Sequence, residues 1–284
     1  MKTLIIGASG QIGGALAAEC AARGLETAGA GVGGEALRLD LADPASVAAA
    51  FAAAKPDLVF LCSAMTWVDG CEKEPEKARR VNAEGPAAVA EECRKAGARL
   101  VYLSTEYVFD GKAGPYSEAD PVNPVSVYGR TKLEGERAAL AGCDALAART
   151  TVVYSHSPGG VNFVMQLIGN ARSGNKMRVP EDQVSNPTHA PDLARALLDL
   201  AAAGAGGVIN VVGPEVMGRY EFALRACRAF GFDPGFLEPL PTSALGQAAA
   251  RPLKAGLRTD LLRRTLGRDL PPVDESLAYI ASKL

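Results

Sequence analysis

The chain predicts an α/β protein, a doubly wound parallel sheet followed by a smaller C-terminal lobe. Three observations predict it. Short apolar, β-prone runs alternate with Ala-rich helical stretches across residues 1–154, the pattern of parallel strands joined by helical crossovers. Gly7, Gly10 and Gly13 follow directly on the first run. A hydroxyl at a later strand end, Thr105, precedes Tyr128 and Lys132, which lie at i and i+4 of a helical stretch.

Thr3 to Ile6 reads as a buried strand running into Gly7-Ala8-Ser9-Gly10-Gln11-Ile12-Gly13 and then a helix ending near Gly24. Glycines at such a turn let backbone N–H groups approach a pyrophosphate, and the helix N-terminus adds partial positive charge. In a chain with 31 Gly the spacing alone is weak; its place after the first strand makes it a Rossmann-type dinucleotide signal. Glu26 to Ala30 is a weaker second strand. An NAD site often carries an acid there for the ribose 2′-OH. The residues that follow are Gly31-Val32-Gly33-Gly34, with neither an acid to repel a 2′-phosphate nor an Arg to grip one. On this reading NADP(H) is expected ahead of NAD(H).

Leu37 to Leu39 is a third strand, ending at Asp40. Asp43 and Pro44 suit the N-cap and first position of a helix reaching Lys55. Asp40 is either an acceptor for an adenine amino group or a turn acid. Leu58 to Leu61 is a fourth strand, and the small residues Cys62, Ser63 and Ala64 at its end suit a closely approaching cofactor. Glu74 to Ala96 reads as a helix broken or kinked at Pro86, with Asn82 either fixing backbone beside the site or facing water. Arg99 to Ser104 is a fifth strand, Ser126 to Ala141 a helix and Ala145 to Tyr154 a sixth strand. Residues 1–154 are the expected dinucleotide-binding domain. Residues 155–284 are mainly a substrate-binding lobe, with about 188–212 returning to the first domain. That lobe reads as helices over 162–171, 192–203, 220–230 and 274–282, strands over 176–179 and 208–212, a polar loop over 182–188, and Pro-rich loops between the last two helices.

At 48% hydrophobic and 22% charged, the composition is that of a globular protein. A net charge of −2 advertises no nucleic-acid or membrane surface. Gly7, Gly10 and Gly13 interrupt the only N-terminal apolar run, so it is not read as a signal peptide. Six scattered Cys without C-x-x-C fit reduced cytoplasmic thiols, and with two His a metal is not indicated.

The chemistry lies in Thr105, Tyr128 and Lys132. Open α/β sheets bind ligands at strand carboxyl ends, where Thr105 falls. Tyr128 and Lys132 share a helix face. A phenol titrates near about 10, and an ammonium within about 4–6 Å lowers that value. Reaching about 7 takes roughly 4 kcal/mol of differential stabilisation. The three groups together suit protonation of the alkoxide formed when hydride reaches a ketone. Taken alone, Tyr-x-x-x-Lys more often means a half-buried ring beside a solvated charge; the strand-end Thr and the glycine motif reverse that weighting.

With these pieces assembled, the chain resembles the extended short-chain dehydrogenase/reductase family, and within it the dTDP-4-dehydrorhamnose reductase branch. The resemblance covers nearly the whole chain and rests on GASGQIG (7–13), TWVDGCEKEPEKARRVNAEGP (66–86), STEYVFDG (104–111), GPYSEADPVNPVSVYGRTKLEGE (114–136), GGVNF (159–163) and DQVSNPTHAPDLA (182–194). It implies Thr105, Tyr128 and Lys132 as a catalytic trio, with Tyr128 giving the proton and Lys132 binding the nicotinamide ribose. It implies Gly7, Gly10, Gln11, Ile12 and Gly13 at the pyrophosphate, Asp40 and Leu41 at adenine, and Cys62, Ser63 and Ala64 at the nicotinamide-side ribose. Glu106, Tyr107, Asn162, Phe163, Gln183 and Arg251 would meet a nucleotide-sugar substrate, Arg251 as a diphosphate clamp. A homodimer through helices around 86–96 and 126–141 is also implied. The chain departs from the branch at Glu106, where Asp is usual, at Val152, where a substrate-facing Trp is usual, and at Ser155, where Gly is usual. The segment RPLKAGL (251–257) is only partly typical.

The activity implied is reduction of a nucleotide-activated 4-keto-6-deoxysugar. Two rivals stand beside it: a nucleotide-sugar epimerase of the same fold, and a non-catalytic NADP-binding regulatory subunit. Dehydratase chemistry is disfavoured, because Tyr107 stands where that reaction's Glu belongs.

Overall fold

The computed structural model describes residues 1–157 and 160–284; Gly159 of the GGVNF run lies outside them. The chain begins with β1 (Lys2–Ile6), α1 (Gln11–Ala22), β2 (Glu26–Gly31), β3 (Leu37–Arg38), α2 (Pro44–Ala54) and β4 (Leu58–Leu61). It continues through α3 (Val68–Lys73), α4 (Pro75–Arg79), α5 (Gly85–Ala96), β5 (Arg99–Thr105), α6 (Val127–Gly142), β6 (Ala145–Thr150) and β7 (Val153–Tyr154). Then come α7 (Phe163–Ser173), β8 (Met177–Pro180), β9 (Val184–Ser185), β10 (Thr188–His189), α8 (Ala190–Ala202), β11 (Gly207–Asn210) and β12 (Met217–Gly218). The chain closes with α9 (Arg219–Phe230), β13 (Leu237–Leu240), α10 (Asp260–Leu266) and α11 (Val273–Ala281).

Seven strands form one sheet in the order β11-β6-β5-β4-β1-β2-β3, and every pairing in it is parallel. Alternation along β1 sends Leu4 and Ile6 to one face and Ile5 to the other. Val47, Phe51, Val89 and Cys93 from α2 and α5 cover the first face. Leu16, Cys20, Leu193 and Leu197 from α1 and α8 cover the second. Strands covered on both faces have no need to alternate in polarity, which is why β4 reads Leu-Val-Phe-Leu and is buried throughout. Asp43 accepts from Ala45 N at the start of α2, with Pro44 in the first turn. A second core of Tyr154, Val164, Leu167, Phe222 and Leu277 sits in the C-terminal part. β11 pairs with β6, so the chain returns to the main sheet after that core has begun. Among the described residues no helix is long and apolar enough to cross a membrane.

Four local readings are corrected. The stretch 74–96 departs from a regular helix just before Pro86: a wider π turn, Arg80–Glu84, joins α4 to α5 with helical backbone on both sides. Pro86 follows directly on that turn, near the start of α5. The sixth strand stops at Thr150, because Val152 adopts φ +44° and turns the chain so that Val153 and Tyr154 pair with β10. The polar segment 182–188 contains β9 and β10 and is pinned by buried Asn186, which donates to Gly213 O at 2.8 Å and accepts from Leu257 N at 2.7 Å. The Pro-rich stretch before the last helix holds β13 and α10. Prolines signal against a strand, but among the described residues β13 pairs only with β8, and an edge tolerates Pro239.

Candidate active site

The glycine turn is shaped by its own backbone. Gly7 adopts φ +90°, donates to Ala30 O at 2.7 Å and accepts from Gly10 N at 3.0 Å. A Cβ on Gly13 would lie 2.0 Å from Gly7 O, so only glycine lets α1 start this close to β1. No side chain caps that start, which leaves its N–H groups facing a cavity of about 620 Å³. This cradle of bare backbone at a helix N-terminus fits a dinucleotide pyrophosphate.

An acid stands beside this cradle, contrary to the sequence reading. The chain after β2 folds back and brings in Glu35. Its carboxylate accepts from Ser9 Oγ at 2.6 Å, Ser9 N at 3.4 Å and Gly33 N at 2.9 Å. The Ser9 hydroxyl leads in holding the carboxyl below its usual range. Gly31 makes room for the fold-back, since a Cβ there would be 2.3 Å from Glu35 Oε1. Nothing in the run Gly31-Val32-Gly33-Gly34 signals this return.

Thr105 ends β5 and caps the 3-10 turn Glu106–Val108 by accepting from Tyr107 N at 3.2 Å. Three contacts fix the start of helix α6, one of them against that turn. Ser126 Oγ accepts from Gly129 N at 3.2 Å, and Glu72 accepts from Val127 N at 2.7 Å. A Cβ on Gly129 would be 2.2 Å from Tyr107 O. The result buries Tyr128 and Lys132 against the end of β5. Tyr107 and Tyr128 meet edge to face at 5.3 Å between centroids. Asn82 takes the first of its two readings: it accepts from Met65 N at 2.8 Å and donates to Met65 O at 3.0 Å, fixing the loop after β4.

Lys132 Nζ donates to Leu103 O at 2.6 Å and lies 4.2 Å from the Tyr102 ring centroid. Burial brings its ammonium down to about 7, while the charges of Glu136 and Cys62 oppose that shift. The lowering expected for Tyr128 is not found in the chain alone. Burial pushes its phenol up, and a hydrogen bond with Thr105 draws it partly back. Behind Lys132, Glu136 forms a buried two-pronged ion pair with Arg149, at 2.6 and 3.0 Å, and accepts from Ser104 Oγ at 2.6 Å.

The cavity brings together Gly7, Gly10, Gln11, Ile12, Gly13, Cys62, Ser63, Ala64, Thr105, Glu106, Tyr107, Tyr128 and Lys132. Six other predicted site residues do not line it. Asp40 accepts from Ala42 N at 2.9 Å as a turn acid, and Leu41 is buried in the first core cluster. Asn162 caps α7 at Met165 N, 3.1 Å, and donates to Ser155 O at 3.0 Å. Phe163 stacks on Phe222. Gln183 donates to Thr242 Oγ1 at 3.0 Å. Arg251 is buried against Asp69 at 2.9 Å, so its charge is already paired within the chain.

A family model described as RmlD substrate binding domain matches residues 1–284. The chain belongs to that family. Among relatives of this RmlD-family chain, the dTDP-4-dehydrorhamnose reductase of Mycobacterium tuberculosis is 37% identical over 257 residues, covering 88% of this chain and 82% of the relative. The spore coat polysaccharide biosynthesis protein SpsK of Bacillus subtilis is 35% identical over 253 residues, covering 88% and 87%. The crystal structure of a dTDP-4-dehydrorhamnose reductase from Clostridium acetobutylicum superposes with a TM-score of 0.92 at 33% identity, covering 100% of this chain and 99% of that one. The Bacillus anthracis reductase, solved with NADP, also gives 0.92, at 28% identity and full coverage of both chains.

The RmlD-family cavity has a further wall, of which the resemblance pointed to Glu106 and to the substrate-facing position of Val152 but not to Thr151 or Arg219. All four line it. Val152 pairs a β-branched side chain with a left-handed backbone at φ +44°, a combination that costs of order 1–3 kcal/mol and tends to persist at ligand sites. Glu106 is buried, and burial pushes its carboxyl up to about 8, with a Thr151 hydrogen bond and the Arg219 charge opposing. Its Oε2 has no hydrogen-bond partner among the described residues. Arg219 opens α9, roughly a hundred residues from Glu106, and no local motif points to it.

Proposed function

We propose that this chain is an oxidoreductase that reduces the 4-keto group of a nucleotide-activated 6-deoxysugar, dTDP-4-dehydrorhamnose, with Tyr128 as proton donor. The observation that carries it is the meeting of Thr105, Tyr128 and Lys132 with the glycine turn around one cavity. Gly7, Gly10, Gln11, Ile12 and Gly13 hold the pyrophosphate of a nicotinamide dinucleotide, and Cys62, Ser63 and Ala64 flank its ribose. The reduced nicotinamide supplies the hydride. The chain supplies everything else. Thr105 and Tyr128 hydrogen-bond the carbonyl oxygen and so favour negative charge developing there. Tyr128 stays a neutral phenol through its burial, which is the form that donates to a more basic alkoxide. Lys132, near its own midpoint at about 7, restores the proton through its ammonium.

The expectation of NADP(H) ahead of NAD(H) rested on an acid-free end of β2. Glu35 removes that ground. A carboxylate there accepts hydrogen bonds from a ribose diol and repels a 2′-phosphate, which speaks for NADH, while the Bacillus anthracis relative was solved with NADP; the two cofactors are therefore tested side by side.

The test is oxidation of NADH and of NADPH, followed at the nicotinamide absorbance with dTDP-4-keto-6-deoxyhexose, for the wild type and Tyr128→Phe. Turnover that falls at least a hundredfold in the variant is expected. Equal turnover in both would sink the proton-donor role. Cofactor binding without any turnover would favour a regulatory subunit instead.

A further inference from the structure

Arg219 differs from the other arginines packed into this part of the molecule. Arg149 is paired with Glu136, Arg251 with Asp69 and Arg225 with Glu215. The Arg219 side chain makes no ion pair or hydrogen bond among the described residues; its guanidinium lies over the Phe163 ring, 5.2 Å from the centroid. It is half-buried, lines the cavity, and loses enough water that desolvation leads in lowering its pKa. The acid facing it, Glu106, is pushed up to about 8 by burial, and no ion pair joins the two side chains among the described residues, so it is a weakened counter-ion. Tyr107, the other group whose charge acts on Arg219, is also held in its neutral form by burial. A desolvated cation without a counter-ion is costly unless something else supplies the negative charge.

We propose that Arg219, a cavity-lining guanidinium with no ion pair among the described residues, binds the substrate's diphosphate, whereas Arg251 is paired with Asp69. This assignment rests on the nucleotide-sugar reading above. Two diphosphates enter such a cavity, the cofactor's and the substrate's, and they share one chemistry. The glycine turn already provides bare N–H groups for the first, on β1 and α1. Arg219 comes from α9 and shares its wall with Thr151, Val152 and Glu106. A guanidinium holds a phosphate by paired, charge-assisted hydrogen bonds, and stacking on Phe163 holds its plane in place.

The experiment is direct titration of dTDP and, separately, NADH into wild type, Arg219→Gln and Arg219→Lys, with thermal midpoints of the free proteins. The expected result is a dTDP Kd raised roughly 10- to 100-fold in Arg219→Gln, an intermediate value in Arg219→Lys, and an unchanged NADH Kd. The midpoint of Arg219→Gln should equal or exceed that of wild type, since a desolvated, unpaired charge has been removed. A wild type that binds dTDP alongside an Arg219→Gln variant that binds it equally well would overturn the assignment alone. A loss confined to NADH would move Arg219 to the cofactor and overturn it too. A wild type with no affinity for dTDP would overturn the nucleotide-sugar reading and this assignment together.

Discussion

Replacing Glu136 by Ala should be among the most destabilising single changes in this chain, and its cost can be worked from the structure. Glu136 and Arg149 have side chains 3% and 4% exposed. The substitution removes two charge-assisted bonds from Arg149 and the acceptor of the Ser104 hydroxyl. It leaves the guanidinium with the Phe109 ring, 5.1 Å away, and one long contact of 3.5 Å to Glu118 O. Breaking a buried pair by removing one partner costs about 3–5 kcal/mol. At about 2–4 °C per kcal/mol for a chain of this size class, the thermal midpoint falls by roughly 6–20 °C. The assay is urea and thermal unfolding of Glu136→Ala, Arg149→Met and the double variant. The double variant removes both charges and should recover a large part of the loss. A cost below about 1 kcal/mol for Glu136→Ala, or a double variant as unstable as the sum of the singles, would refute the reasoning. A functional readout accompanies it. The Glu136 charge helps keep Lys132 protonated, so Glu136→Gln should move the Lys132 midpoint below about 7 and shift the pH–rate profile to lower pH.

Three other perturbations test separate parts of the structure. Glu35→Ser should raise the affinity for NADPH relative to NADH about tenfold, measured as a Kd ratio: at roughly 6 Å in water each unit charge contributes about 0.7 kcal/mol, and a phosphate carries about two. Gly13→Ala should abolish cofactor binding in a titration while leaving some folded protein, because its Cβ would stand 2.0 Å from Gly7 O and push α1 off the turn. Lys132 titrates lower in the folded chain, about 7, than its ordinary 10.5, so between those values the unfolded chain holds the extra proton and stability from this group rises with pH. Unfolding free energies of wild type and Lys132→Met should therefore compare most favourably for the variant near pH 6 and least favourably near pH 10; a constant difference would mean that the lysine is not desolvated.

The order of sheet elements was legible in the sequence because it rests on local physics. Apolar runs that are buried on both faces, a glycine turn and a capped helix at Asp43-Pro44 each declare themselves within a few residues. Thr105, Tyr128 and Lys132 were legible for the same reason, as a strand end and one helix face. Less was legible where the fold supplies the partners. Asp40 accepts from Ala42 N, and the Arg251 guanidinium meets Asp69. Tyr128 was expected to have a lowered pKa from the spacing of its lysine, yet burial by the surrounding chain dominates.

By itself, then, the sequence determined the sheet, the glycine turn after the first strand, and the placing of Thr105 at a strand end and of Tyr128 and Lys132 on one helix face, since each follows from periodicity or from neighbours on one element. Only the tertiary structure decided which charges remain free in the cavity. Glu35 reaches Ser9 from beyond β2, burial pushes the Glu106 carboxyl up, and Arg219 arrives from α9 with no ion pair among the described residues. The physical reason is that the state of a charge depends on desolvation and on partners within a few ångströms, and chain folding sets both over separations of tens to hundreds of residues.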